Sequence, residues 1–153
     1  MLASTVKKGR HMHRDPDAPP FNPLPPVVVA LALVIVAVEL LFGAGARGFI
    51  GGPEAVGWRL EALEQYAFFP QLFDYMLASG HAPLGDVARS VTYVFVHFSF
   101  THALMVLVFL LALGKMVGER FGALAFLAIF FASAIVGSLV FGMLVSRPQP
   151  LAG

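Results

Sequence analysis

The sequence predicts an all-α, polytopic membrane helix bundle, and three observations carry that prediction. Hydrophobic residues make up 58% of the 153 positions and charged residues only 12%. The mean hydropathy of +0.81 is far above that of an ordinary soluble domain. The apolar residues also gather into three long runs, each close to the roughly 20 residues that a helix needs to cross a ~30 Å hydrocarbon core.

Taken in order, residues 1–26 are expected to form a flexible cytoplasmic arm. It carries Lys7, Lys8, Arg10 and Arg14 with Asp15 and Asp17, then the stretch "DAPPFNPLPP", whose prolines cannot continue a helix. The first span, about 27–45, holds a single charge, Glu39. A cleaved signal peptide is the competing reading, but its apolar core would be shorter and nearer the N-terminus. Glu39 is assigned no role; a single acid in the inner half of a span is expected to find a hydroxyl or a water.

A long loop, 46–90, follows. After "GGP", Val56, Leu60, Leu63 and Ala67 fall at helical spacing while Arg59, Glu61 and Glu64 are expected to face elsewhere, the pattern of an amphipathic helix. "FFPQLFDYMLASG" is expected to rest in the interfacial zone against the bundle, its aromatic stripe serving packing rather than a cofactor. The second and third spans, about 91–117 and 123–145, are joined by the short connector "GERFG", which makes them antiparallel neighbours. Ser133, Gly137, Ser138 and Gly142 in the third span recur at three- and four-residue steps, so a neighbouring helix can approach closely there.

Orientation follows from the basic residues. The arm is basic and the connector region holds Lys115 and Arg120, whereas the loop has only Arg47, Arg59 and Arg89 among five acids. The N-terminus is therefore expected to be cytoplasmic and the 46–90 loop outside. Formal net charge is +1 and no basic cluster lies beside stacking aromatics, so no nucleic-acid partner is expected. Membrane lipid is the expected surrounding. The absence of cysteine excludes disulfides, thiolate metal sites and cysteine nucleophiles.

His97 and His102 are the chemical question, because imidazole is costly to bury without a partner. Read as one continuous helix, their separation of five places them roughly 140° apart at ~100° per residue. A zinc pair usually sits at i and i+4 with a glutamate near, and no HExxH occurs. The other spans contain no histidine to complete a bis-histidine haem. No metal or other cofactor is expected. From spacing alone both rings could be structural, hydrogen-bonded to Ser99, Thr101 or a backbone carbonyl.

The segment "RSVTYVFVHFSFTHALMVLVFLLALGKMVGERFG" resembles the second-span region of the rhomboid intramembrane serine proteases, through Arg89, His97, Ser99, His102, Gly114, Glu119 and Gly122. The resemblance implies a rhomboid-like bundle with three spans present of an expected six, filling residues 27–153. It implies a serine in a G-x-S-G motif and a histidine base on later spans, with transmembrane proteins as substrates. His102 matches a histidine that helps hold the oxyanion, His97 is the second histidine of that pattern, and Arg89, Gly114, Glu119 and Gly122 are structural. Val106 stands where the family has an asparagine, so one oxyanion donor is missing; one such donor is typically worth on the order of 10²–10³ in rate. Ala88 replaces a frequent tryptophan, and Gly114 to Glu119 is one residue longer than the common spacing.

Ser146, in "VSRPQP", has no flanking glycines and is not expected to be a nucleophile. "PQPLAG" resembles the loop leading into G-x-S-G, with Gly153 as its first glycine, so the chain is expected to be the N-terminal part of a longer protein and inactive by itself. The alternative is a non-catalytic rhomboid-like protein that binds transmembrane helices, which Val106 favours. The topology and the lack of a transit peptide suit a bacterial inner membrane.

Overall fold

A computed structural model describes residues 23–145 and 149–153; Ser146 and nearly all of the arm lie outside the described residues. Among the described residues six α-helices follow one another: α1 Pro26–Ala46, α2 Trp58–Tyr66, α3 Pro70–Ser79, α4 Leu84–Thr92, α5 Phe100–Phe121 and α6 Ala123–Leu144. Three of them, α1, α5 and α6, are long and apolar enough to cross a membrane.

The proline-rich lead ends by starting α1: Pro26 occupies its first turn, where a missing N–H leaves no bond unmade. The helix stops at Arg47, whose guanidinium turns back onto the Gly43 carbonyl at 3.0 Å. α1 then packs antiparallel on α5. Gly114 lies so close to Val28 that a Cβ there would stand 2.9 Å from its methyl carbon, and Gly118 lies equally close to Pro25. Val28, Ala32 and Ile35 of α1 meet Ala103 and Leu110 of α5 and Phe126 of α6 in the main core. Gly122 joins α5 to α6 at φ +85, a left-handed conformation that explains why glycine stands there.

The second span differs from its expectation over 91–117. The chain from Leu84 is helical only to Thr92, makes a short 3-10 turn over Tyr93–Phe95, and crosses Val96 to Ser99 before α5 begins at Phe100. Ser99 sets that start. It is extended, at φ −154 and ψ 161, and its side-chain oxygen accepts the His102 backbone N–H at 3.2 Å, a serine N-cap.

The loop is folded against the ends of the long helices. Arg89 of α4 donates to the Glu64 and Ala67 carbonyls at 2.7 and 3.0 Å, tying α4 to the end of α2. Phe68 and Phe73 are buried, and Phe73 of α3 lies against Gly142 of α6. The small residues of α6 thus receive an aromatic from the loop: Ser138 and Gly142 are buried, whereas Ser133 and Gly137 are exposed. Residues 149–153 return across this end, with Leu151 pairing both backbone groups with Phe68 and the Gly153 N–H reaching the Tyr93 and Val96 carbonyls.

The amphipathic helix expected from Val56 to Ala67 is divided: Val56 lies in a 3-10 turn, Gly52–Gly57, and α2 begins only at Trp58. Leu63 and Ala67 are buried, but Val56 and Leu60 are 67% and 62% exposed, and Arg59 is turned inward. The charge on Glu39 explains this rotation of α2.

Candidate functional site

Glu39 lies not in the inner half of its span, as expected, but in the half of α1 that leads into the loop, and it is 4% exposed. A carboxylate so placed needs a counter-charge or several donors. Arg59 supplies both: its two terminal nitrogens reach the two Glu39 oxygens at 2.9 and 2.7 Å, a bidentate pair. One of those nitrogens also donates to the His97 carbonyl at 2.7 Å, and the guanidinium lies 5.0 Å from the centre of the Phe42 ring. Arg59 therefore joins α1, α2 and the segment before α5. The expected hydroxyl or water partner of Glu39 is replaced by an arginine twenty residues on.

His97 lies in that segment, outside the long helices, and is fully buried. Its Nδ1 stands 3.9 Å from a Glu39 oxygen, too far for a hydrogen bond, and among the described residues neither ring nitrogen has a hydrogen-bond partner. Burial pushes the imidazole pKa down to about 4, against the opposing pull of Glu39, so the ring is neutral at pH 7. The expected hydrogen bond to Ser99, Thr101 or a carbonyl is absent for His97.

The break before α5 also changes how the two histidines meet. Because His97 precedes the helix and His102 sits in its first turn, the rings are not on separate faces; their centres are 5.5 Å apart, edge to face. The His102 ring stacks on Phe98 at 6.1 Å with planes 10° apart. It is half-buried, and among the described residues it makes no side-chain hydrogen bond.

Val106, one turn along α5, lines a cavity of about 240 Å³ with Ile35, Tyr93, Phe130, Ser133 and Gly153. Gly153 is pressed onto Val94, where a Cβ would come within 2.6 Å of the backbone oxygen. His102 is not part of that lining among the described residues. The other residues singled out by sequence take framework positions: Arg89 binds carbonyls and Asp86, Gly114 receives Val28, Gly122 makes the turn, and Glu119 pairs with Lys115 at 2.6 Å.

Arg59 and Phe98 were not among the residues expected at the site. The buried charge of Glu39 was the signal for an arginine partner, but nothing local chose Arg59 from Arg47, Arg59 and Arg89. Among the described residues no three histidine or carboxylate side chains gather in a metal-ligand arrangement. The Rhomboid domain family model matches residues 84–153, which contain α4, both histidines, Val106 and all of α5 and α6. No curated protein and no solved structure matches the chain.

Proposed function

We propose that this chain, whose residues 84–153 match the Rhomboid domain family model, serves a rhomboid-type intramembrane serine endopeptidase that cleaves transmembrane proteins. The observation that carries this reading is the His102 ring, fixed between Phe98 and His97 at the first turn of α5 with its N–H unused. In peptide hydrolysis, negative charge appears on the carbonyl oxygen only as the tetrahedral intermediate forms. An imidazole N–H fixed in advance stabilises that charge with no reorganisation at the moment of attack. Arg59, seated on Glu39, acts at one remove: by donating to the His97 carbonyl it holds the segment whose side chains frame His102.

Residues 1–153 contain no G-x-S-G sequence, so by themselves they are proposed to be inactive. The test is cleavage of a labelled transmembrane substrate by the protein expressed from its complete gene, beside residues 1–153 alone. Cleavage by the complete gene product that a fluorophosphonate abolishes, with none by residues 1–153, supports the reading; a complete gene product that neither cleaves nor takes up fluorophosphonate overturns it.

One observation favours a second reading, a non-catalytic rhomboid-like protein that binds transmembrane helices. Val106 presents methyl groups to a cavity lined mainly by apolar side chains, where a donor would be needed for chemistry. The same experiment separates the two, since a binder retains its substrate uncut.

A further inference from the structure

A cleft of about 450 Å³ opens where α1 ends, and of its lining only Glu39 and Arg59 also enter the proteolytic reading. Its floor is a stripe of α1 at helical spacing, Leu40, Gly43, Ala44 and Arg47, in which the two small residues create the depression. Phe49 and Phe100 form its walls and are 75% and 63% exposed. Glu39 and Arg59 close its inner end, and their charges cancel in the bidentate pair.

Arg47 is different. It is exposed, its guanidinium holds the Gly43 carbonyl, and among the described residues it pairs with no acid. The cleft therefore carries one uncompensated positive charge above a greasy floor, at the terminus of a helix apolar enough to cross a membrane. A free phosphate would satisfy the charge but leave Leu40, Phe49 and Phe100 in water. A phospholipid answers both parts, with its phosphate on Arg47 and an acyl chain along Leu40 and Phe100.

We propose that this cleft is a binding site for an anionic phospholipid, with Arg47 as the headgroup contact. The proposed lipid contacts, Arg47, Leu40 and Phe100, have no part in the proteolytic reading. The single tryptophan, Trp58, packs on Gly45 and Gly51 beside the cleft and supplies a native reporter. The detergent-solubilised chain is titrated with dihexanoyl phosphatidylglycerol, dihexanoyl phosphatidylcholine or inorganic phosphate while Trp58 emission is followed. The expected result is saturable binding of phosphatidylglycerol about fivefold tighter than of phosphatidylcholine, the worth of one basic residue near an anionic lipid, and no saturable change with phosphate. Arg47→Gln should erase the preference with helicity unchanged, Arg47→Lys should keep it, and Ala44→Leu, which fills the floor, should weaken both lipids. Equal binding of the two lipids, a preference that survives Arg47→Gln, lipid binding unaffected by Ala44→Leu, or saturation by inorganic phosphate alone would each overturn the proposal.

Discussion

Arg59 and Glu39 grip one another through two hydrogen bonds, 2.9 and 2.7 Å long, across twenty residues of sequence. The contact turns a loop arginine into the inner anchor of α2. It also explains why Leu60 faces outward: seating Arg59 on the carboxylate fixes the rotation of α2.

The first prediction concerns that grip. Arg59→Ala leaves a buried carboxylate without its partner and should lower stability by about 3 kcal/mol, the low end for breaking a buried pair because Arg59 keeps some exposure. Glu39→Leu combined with Arg59→Met should recover most of the loss, since two apolar side chains leave no charge unpaired. Thermal unfolding of the three variants in one detergent checks it; a double variant as unstable as Arg59→Ala would contradict it.

His97 gives a prediction with a pH signature. Its folded pKa is about 4, below the ordinary value of 6.5. Between those values the unfolded chain binds a proton that the folded chain refuses, so stability is fully present above pH 6.5 and falls as the pH drops towards 4. His97→Phe should flatten this dependence. Because neither ring nitrogen has a partner to lose among the described residues, the same variant should be neutral or stabilising at pH 7, by about 1 kcal/mol. Unfolding midpoints at pH 7.5 and 5 test both parts.

How much of this was legible in the sequence can be judged from those two residues. Hydropathy marks out the three long helices because each must bury or lipidate its whole surface, and that demand is local and continuous. The start of α5 turns on one cap, Ser99, placed inside an apolar run where hydropathy does not change. Reading through it put His97 and His102 on separate helical faces, whereas the break brings their rings edge to face. The Arg59 partnership is long-range: an amphipathic pattern scores an arginine as solvent-facing, and only the unpaired charge of Glu39 argues otherwise. Arg89, Gly114 and Gly122 were singled out through family resemblance; Arg89 meets the Glu64 and Ala67 carbonyls, Gly114 meets Val28, and Gly122 makes the turn between α5 and α6.

Topology is tested by labelling. Basic residues concentrate in the arm, so Ser4→Cys should be protected from a membrane-impermeant maleimide in intact cells, while Gly80→Cys, at the exposed end of α3, should react. The reverse pattern would invert the assignment.

The most direct measurement is the turnover of a transmembrane substrate by the protein expressed from its complete gene, compared with its His102→Ala and Val106→Asn variants. With His102 as the oxyanion donor, His102→Ala should lower kcat by roughly 10²-fold or more while the unfolding midpoint stays close to wild type, and Val106→Asn should raise kcat by adding a second donor one turn away. Full turnover in His102→Ala together with no effect of Val106→Asn would contradict the assignment and leave the histidine pair a packing feature of the loop and α5.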